Sequence, residues 1–341
     1  MPRPIANPKN RFAQLEVVYE DGQQPDADLE VYEDDSRSIV AKNDSPDLGF
    51  NFSVNPYRGC YHGCAYCYAR PTHEYLSMGA GTDFDRKLLV KPKARALLQA
   101  FFDKPSWDGE LIMFSGVTDC YQPLEAQYQL TRQCLELCVE YHQPVSVITK
   151  APLIERDLDV LLKLHERTHV SVAISIPIWN AEEAHLIEPY VATPQRRMQT
   201  VRRLAEAGLD VAVNVAPMIP TVGDRDLKEL LEAAKDAGAT RAHTILLRLP
   251  GAVKQVFEER LKVVMPDRAE HVLSRIRDAR SGKLYDSSFG KRQTGEGPYA
   301  ETLGAVFQAT VKRLGLDGPR RSRPSTPTTF RRPAGPQLSL F

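Results

Sequence analysis

Apolar runs alternate with amphipathic segments along most of the chain from residue 48 onward. Several runs are almost continuously apolar, among them VAVNV at 211–215 and TILLRL at 244–249. This pattern is typical of strands that are buried on both faces of a parallel sheet. The predicted strands cover residues 50–54, 111–115, 145–149, 170–176, 210–215 and 244–249.

Segments with helical spacing lie between these strands and after the last one. Thr193 and Pro194 suit the N-cap and the first position of one helix, and Asp224 is suited to cap another. The repeated strand–helix order predicts right-handed crossovers, and six strands are too few for a standard eight-stranded barrel. The sequence therefore predicts an α/β fold, a partial (β/α)6 TIM-like barrel. The predicted helices cover residues 92–103, 124–142, 153–167, 193–208, 224–238, 266–280 and 298–314.

Four regions of different composition follow from this pattern. Residues 1–47 form an acidic N-terminal extension, with eleven acidic and two basic residues between positions 13 and 47. Residues 48–250 hold the alternating core, and residues 251–316 form a C-terminal helical region. Residues 317–341 are rich in proline and, from position 318, carry five arginines and no acidic residue. That composition predicts a flexible, disordered basic tail.

Composition and charge exclude several classes of protein. The 341 residues suffice for a large core, and a formal net charge of zero argues against a globally cationic nucleic-acid binder. No apolar run reaches the ~20 residues of a membrane span, and the first residues lack the apolar core of a signal peptide. We therefore expect a cytoplasmic protein with no membrane association, whose six cysteines are thiols or metal ligands.

Three of the cysteines fall within eight residues, in the segment NPYRGCYHGCAYCYARP at 55–71. Cys60, Cys64 and Cys67 have the spacing C-x3-C-x2-C, and thiolates are the soft ligands that iron–sulfur clusters and zinc select. In a four-iron cluster, three cysteines leave one iron open to an external ligand. A zinc site needs a fourth protein ligand, which His62 or His73 would supply, and buried structural thiols are the remaining alternative. The position after a strand and before a helix favours the [4Fe–4S] cluster.

The cysteine spacing, with a tyrosine before the third cysteine, resembles the signature of the radical S-adenosylmethionine (SAM) superfamily. Together with SGVTD at 115–119 and ITK at 148–150, residues 48–250 are similar to a bacterial subgroup of its spore photoproduct lyase-like, or DNA-repair photolyase-like, branch. The resemblance implies that SAM chelates the open iron. It also implies that a one-electron reductant of the flavodoxin or ferredoxin type drives cleavage to a 5′-deoxyadenosyl radical, which abstracts a hydrogen from the substrate.

Polar residues at the predicted strand ends are candidates for SAM binding, since barrel active sites collect there. By resemblance, Tyr66 matches the aromatic position near the SAM adenine, Thr118 a SAM-contacting hydroxyl, and Lys150 a lysine that neutralises the methionyl carboxylate. The other candidates rest on their strand-end positions; Ser171 is the alternative to Ser175, and Arg248 would face SAM or the substrate or form a structural salt bridge. They are Ser115, Asp119, Ser175, Asn214 and Arg248.

Tyr68 and Cys120 are the candidates for radical transfer. Tyr68 follows the third cysteine, where tyrosines of spore photoproduct lyases are implicated in that role, and simple packing is the alternative. Those lyases carry a hydrogen-donating cysteine shortly before the aspartate that matches Asp119, whereas here Cys120 comes after it. Cys120 would either replace that donor or be an inert buried thiol.

Three functions remain open on the sequence alone. The first is a radical SAM enzyme that acts on nucleic acid, for example on a damaged base. The second applies the same chemistry to a protein, peptide or small molecule, and the third is a metal-binding module without activity that is tethered to DNA-associated partners. QLSLF, from Gln337 to Phe341, resembles the peptide with which bacterial DNA-metabolism proteins bind the replication sliding clamp. The tail arginines would add phosphate contacts. They are Arg320, Arg321, Arg323, Arg331 and Arg332.

Overall fold

The computed structural model of the chain describes residues 28–318 and 328–333. Its strands are β1 (Glu30–Glu33), β2 (Val40–Lys42), β3 (Phe52–Val54), β4 (Tyr57–Arg58), β5 (Lys87–Val90), β6 (Ile112–Phe114), β7 (Val145–Thr149), β8 (Val170–Ser175), β9 (Val211–Met218) and β10 (Arg241–Leu246). Its α-helices are α1 (Thr82–Arg86), α2 (Ala94–Phe102), α3 (Glu125–Tyr128), α4 (Leu130–Tyr141), α5 (Leu158–His165), α6 (Ala181–Ile187), α7 (Pro194–Glu206), α8 (Leu227–Asp236), α9 (Val253–Val264), α10 (Pro266–Asp278) and α11 (Pro298–Leu314).

The main sheet has the strand order β10-β9-β8-β7-β6-β3-β2. From β3 to β10 each strand pairs in parallel with the next one along the sheet, as the nearly continuous apolar runs predicted. Helices fill the connections, so the predicted partial (β/α)6 barrel of the radical SAM type is confirmed. Strand β2 pairs antiparallel with β3 and adds a seventh strand from the N-terminal extension. A smaller sheet has the order β1-β5-β4.

The last parallel strand starts and ends three residues earlier than predicted, at Arg241–Leu246 instead of 244–249. The apolar run misled the prediction because its second half is buried without pairing. Leu247 and Leu249 are buried in a second apolar cluster together with Val253 and Phe257 of α9. Apolar character marks burial, and only hydrogen-bond pairing marks a strand.

One predicted helix is interrupted, one predicted cap was wrong, and three helices in the described part of the chain were missed. The segment 124–142 divides into α3 and α4 at Gln129, whose φ of 51° is left-handed. Thr193 caps α7 as predicted by accepting a hydrogen bond from Arg196 N. The prediction for Asp224 was wrong: α8 begins after Asp226, and the Asp224 carboxylate accepts a hydrogen bond from Tyr299 Oη at 2.5 Å. Helices α1, α6 and α9 were not predicted.

The main apolar core lies between the parallel sheet and the surrounding helices. Cys134 and Cys138 of α4 are fully buried there, which agrees with their spacing of four residues on one helix face. Cys120 also lies in this core and is fully buried. No helix in the described part of the chain combines the length and apolarity that a bilayer span requires.

Residues 328–333 pack against the barrel, which corrects the expectation of a flexible tail for this part of 317–341. The Phe330 ring contacts Phe102, Trp107 and Tyr141, with ring centroids 5.7, 6.4 and 6.0 Å away. The Arg332 guanidinium donates to the carbonyls of Phe102 and Trp107, both at 3.0 Å. Composition hid this segment because one aromatic anchor and one guanidinium fork suffice to hold it.

These contacts also correct the expectation that Arg332 binds phosphate, whereas phosphate binding by Arg331 stays a prediction. Arg332 is committed to backbone carbonyls, and Arg331 Nη2 lies 2.9 Å from His142 Nε2. Arg320, Arg321 and Arg323, together with the clamp-like residues 337–341, lie outside the described residues.

Candidate active site

A cavity of about 310 Å³ opens at the carboxyl ends of the parallel strands. Its walls come from the cysteine loop and from the residues that end β6, β7, β8, β9 and β10. This is the edge at which α/β barrels place their sites, because the loops after successive strands converge there. The lining includes nearly all of the predicted site residues. They are Cys60, Cys64, Tyr66, Cys67, Tyr68, Ser115, Thr118, Asp119, Lys150, Ser175, Asn214 and Arg248.

The loop that carries the three thiols is tightly wound. Gly59 and Gly63 have φ values of 72° and 67°, a region that side chains with a Cβ rarely adopt. A Cβ on Gly59 would also lie 2.7 Å from Leu88 Cδ2 and 2.9 Å from the Phe84 carbonyl oxygen. Both glycines are therefore required for the loop to fold back on itself and present its sulfurs to one cavity.

Burial raises the pKa of the Cys60, Cys64 and Cys67 thiols. No three or more of the described His, Cys, Asp and Glu side chains stand where they could share a single metal ion. A cubane cluster does not need such closeness, because each thiolate binds a different iron. Three thiols on one loop, facing one cavity that also holds unpaired polar groups, therefore fit a cluster with one iron left to an outside ligand.

The two histidines of the zinc alternative have different surroundings. His62 lines the cavity, and its Nδ1 lies 3.5 Å from Asp119 Oδ2. His73 lies outside the cavity lining: its Nε2 hydrogen-bonds the Lys87 carbonyl at 2.8 Å and its ring packs on Phe84. Burial lowers the pKa of both imidazoles.

Arg70 holds the cysteine loop from behind and was not anticipated from the sequence. Its side chain is fully buried, and its Nε and Nη2 donate to the Cys64 carbonyl at 3.1 and 2.9 Å. Its Nη1 donates to the carbonyls of Ala80 and Gly81, and Nη2 pairs with Asp85 at 2.9 Å. An arginine three residues after the last cysteine gave no sign in the sequence that it would turn inward.

Three of the predicted SAM-binding side chains are already hydrogen-bonded within the protein. Ser115 Oγ donates to the Ile148 carbonyl at 2.6 Å, and Ser115 has a strained φ of 93°. Thr118 Oγ1 donates to the Tyr57 carbonyl at 3.1 Å.

Asp119 ties the end of β6 to the end of β7. Its carboxylate accepts from Thr149 Oγ1 at 2.7 Å and from Lys150 N at 2.8 Å. Ser115, Thr118 and Asp119 therefore shape the cavity wall, each with little hydrogen-bonding capacity left for a ligand.

Four other predicted side chains face the cavity without hydrogen bonds to the described residues: Lys150, Ser175, Asn214 and Arg248. The Lys150 ammonium lies 5.6 Å from the Tyr66 ring centroid. Ser171, the alternative to Ser175, instead donates to Ser146 Oγ at 3.0 Å and lies outside the lining. Unpaired polar groups in a cavity are the groups available to a ligand.

A buried network stands behind Tyr66 and was also missed. The Tyr66 hydroxyl donates to Glu188, and Glu188 forms an ion pair with Arg197 at 2.7 Å, with both charged side chains almost fully buried. Arg197 Nη1 further donates to the Ser175 carbonyl at 2.8 Å. The network connects the cysteine loop to the end of β8, and burial raises the pKa of Tyr66.

The two candidates for radical transfer differ in their positions. Tyr68 lines the cavity, is 51% exposed, and donates from its hydroxyl to the Gly116 carbonyl at 2.6 Å. Cys120 lies outside the lining because the turn after Asp119 carries it into the main core. Burial raises the pKa of its thiol, and its backbone N donates a hydrogen bond to Ser115 Oγ at 3.2 Å.

Residues 54–234, more than half of the chain, match the family described as the Radical SAM superfamily. The chain belongs to the radical SAM superfamily. Radical SAM proteins use a [4Fe–4S] cluster and SAM, and they need a one-electron reductant.

This radical SAM protein has relatives in a bacterium, an archaeon and a virus. An uncharacterised protein from Mycobacterium tuberculosis is 38% identical over 212 residues, which are 62% of each chain. An uncharacterised protein from Acidianus two-tailed virus is 30% identical over 57% of this chain and 63% of its own. The alignments thus span less than two thirds of the relatives' length.

The fold is shared with solved structures of spore photoproduct lyase. One, complexed with dinucleoside spore photoproduct, matches with a TM-score of 0.59 and 18% identity over 83% of this chain and 79% of that one. A variant of that lyase with bound AdoMet and the dinucleoside matches with a TM-score of 0.59 and 18% identity over 84% and 79%. At this identity the likeness concerns the fold.

Proposed function

We propose that this radical SAM protein reductively cleaves SAM and applies the resulting radical to a nucleic-acid substrate. The observation that carries the first part is the shared cavity, in which three thiols face polar side chains that have no partners among the described residues. Cluster and SAM together supply a carbon-centred radical when an electron arrives. The chain's own residues would bind and orient the cluster and SAM and enclose them in the cavity.

Lys150 is the residue we assign to the methionyl carboxylate of SAM, because its ammonium faces the cavity without a carboxylate partner in the described structure. Ser175 and Asn214, neighbours in the pairing of β8 with β9, would bind the remaining polar groups of SAM. Tyr66, held by Glu188, would support the adenine. Apolar side chains such as Phe50 and Met113 would exclude water.

Two observations favour nucleic acid as the substrate over a protein, peptide or small molecule. The structurally similar lyase is described as complexed with a dinucleoside. In this chain, the cavity also carries an arginine, Arg248, that has no anionic hydrogen-bond partner in the described residues. Tyr68 is the residue we assign to radical transfer, because it is exposed to the same cavity, whereas the core position of Cys120 makes that thiol the weaker candidate.

The first experiment is anaerobic reconstitution with iron, sulfide and reductant, followed by measurement of 5′-deoxyadenosine from SAM. We expect the wild-type protein to hold about four irons per chain and to form 5′-deoxyadenosine. Cys64→Ala should abolish both. Cys134→Ala, the same change in the main core, is the matched control and should retain both. A Cys64→Ala protein that still forms 5′-deoxyadenosine would refute the cluster assignment, and a zinc-containing protein without sulfide would support the non-enzymatic alternative.

The second experiment separates the substrate classes. We expect DNA bearing a damaged base to increase 5′-deoxyadenosine formation, whereas proteins and small metabolites leave it unchanged. The sliding clamp is a separate proposed partner, tested by whether Leu340→Ala combined with Phe341→Ala removes binding to purified clamp. Retained clamp binding in that variant would exclude the 337–341 peptide as the contact.

A further inference from the structure

Donor groups without acceptors collect at one end of the cavity, beyond the last parallel strand. Arg248 and Gln293 both line the cavity, and Arg248 Nε and Gln293 Nε2 are buried with no acceptor among the residues that the structure describes. Arg280 Nε and Nη1 are likewise buried and have no acceptor, and the Arg280 side chain is 2% exposed. Leaving a buried donor unpaired costs about 1–3 kcal/mol, so the two unpaired donors on cavity-lining residues point to a ligand.

The three side chains belong to one structural unit. Arg280 Nη2 donates to the carbonyls of Leu247 at 2.6 Å and Arg292 at 3.0 Å, which directly precede Arg248 and Gln293 in the chain. The backbone N of Leu246 also donates a hydrogen bond to the Gln293 carbonyl at 2.8 Å. Arg280 thus holds the two cavity-lining residues next to each other.

The charge at this end of the cavity is positive and not offset by a bonded carboxylate. Neither Arg248 nor Arg280 forms an ion pair with a described residue. Asp47, the nearby acid, is occupied by Arg292 Nε at 2.5 Å and by Gly290 N at 2.8 Å. Burial and the neighbouring Arg248 guanidinium lower the pKa of Arg280, as expected for two cations close together.

We propose that Arg248, Gln293 and Arg280 form a binding site for the phosphodiester of a nucleic-acid strand. Arg248 would contact the phosphate, Gln293 would donate a second hydrogen bond, and Arg280 would position both and add charge. The inference rests on the proposed function and deepens it, and it moves Arg248 from the cofactor to the substrate.

Two further observations separate this site from the SAM carboxylate. The Lys150 ammonium interacts electrostatically with Cys64 and Glu188, at the cluster end of the cavity. The Arg248 guanidinium instead interacts electrostatically with Asp47 and Tyr68. A phosphate held by Arg248 would therefore bring the attached nucleoside next to Tyr68, the residue assigned to radical transfer.

The test is a binding assay that requires no SAM cleavage. The reconstituted full-length protein is titrated anaerobically into a fluorescein-labelled oligothymidylate, and anisotropy is followed at several salt concentrations. Arg248→Gln should weaken binding about tenfold or more and reduce the slope of log K against log salt by about 0.7. SAM affinity should stay within about twofold of wild type. Gln293→Glu, which adds a repelling charge, should give a similar loss.

Matched controls complete the experiment. Arg313 is an exposed arginine of α11, paired with Glu232 of α8 and outside the cavity lining. Arg313→Gln should therefore leave binding unchanged. A methylphosphonate oligomer, whose linkages are uncharged, should bind the wild type weakly and show no further loss in Arg248→Gln.

Three outcomes would overturn the proposal. The first is unchanged oligonucleotide binding in both variants. The second is that Arg248→Gln loses SAM affinity and keeps its oligonucleotide affinity. The third is a protein that does not bind the oligonucleotide but is stabilised by inorganic phosphate in a way that depends on Arg248. Oligonucleotide binding in a protein that fails to cleave SAM would instead leave this site standing and refute the proposed chemistry.

Discussion

Replacing Arg70 is the sharpest test of how the cysteine loop is held. The guanidinium donates to the carbonyls of Cys64, Ala80 and Gly81 and pairs with Asp85, and the Arg70 side chain itself is fully buried. Arg70→Met would leave those carbonyls and a buried carboxylate without a donor. Breaking one side of a buried ion pair costs about 3–5 kcal/mol, and losing the guanidinium donor to each of the three carbonyls adds about 1 kcal/mol or more. We therefore expect a loss of at least about 6 kcal/mol in the free energy of unfolding.

Urea unfolding of the iron-free protein under reductant measures this loss. Two further variants separate the charge from the geometry. Arg70→Lys keeps a cation beside Asp85 but lacks the planar fork, so we expect an intermediate loss of about 2 kcal/mol. Adding Asp85→Leu to Arg70→Met removes the stranded carboxylate and should recover at least about 1 kcal/mol.

Iron content after reconstitution is the second readout, because the Cys64 carbonyl that Arg70 holds belongs to the loop that must enclose the cluster. We expect substoichiometric iron in Arg70→Met even at temperatures where the protein stays folded. Arg277→Met, which breaks only an exposed pair with Glu270, is the control and should change stability by less than about 1 kcal/mol. This reasoning would be refuted if the free energy of unfolding of Arg70→Met lay within about 1 kcal/mol of the wild-type value and its iron content were normal.

Three further predictions concern other parts of the molecule. Lys150→Met should weaken SAM binding about tenfold or more by equilibrium dialysis, whereas Lys163→Met, on the exposed face of α5, should not. Burial lowers the pKa of His73, so the unfolded chain binds the extra proton first, and stability present above the unfolded pKa of about 6.5 is lost as pH falls; His73→Leu should flatten the pH dependence of unfolding between about pH 7 and 5, and an unchanged slope would contradict it. Phe330→Ala should cost about 2 kcal/mol and expose the C-terminal segment to protease, and equal protease resistance would count against its docking.

The barrel could be predicted because its strands repeat one physical pattern. Runs such as 145–149 and 170–176 are apolar on both faces, and the structure pairs them in parallel at β7 and β8. The short strands β1, β4 and β5 could not be predicted in this way. Strand β1 is exposed along its whole length, so no burial pattern marks it, and its pairing with β5 is decided by tertiary contacts.

The residues of the candidate site also fall into those that the sequence could predict and those that it could not. Spacing alone brought the three cysteines to attention, and position at strand ends indicated Lys150, Ser175 and Asn214, which all face the cavity. Hydrogen-bond commitment, by contrast, is a property of the folded chain. The pairing of Arg70 with Asp85 and of Glu188 with Arg197 joins residues whose proximity no local pattern encodes.

This commitment distinguishes the polar groups that build the cavity from those that can serve it. A buried hydroxyl or carboxylate has a fixed number of hydrogen bonds to make, and once the scaffold has used them a ligand can gain little from it. Ser115, Thr118 and Asp119 have reached that state, since each joins the strand β6 end to another segment. Lys150 and Arg248 have not, and an unpaired cation inside a protein is costly unless something binds it. Among the described residues these two cations lie toward different ends of one cavity, which suits the SAM and the nucleic-acid strand that we propose to bind there side by side.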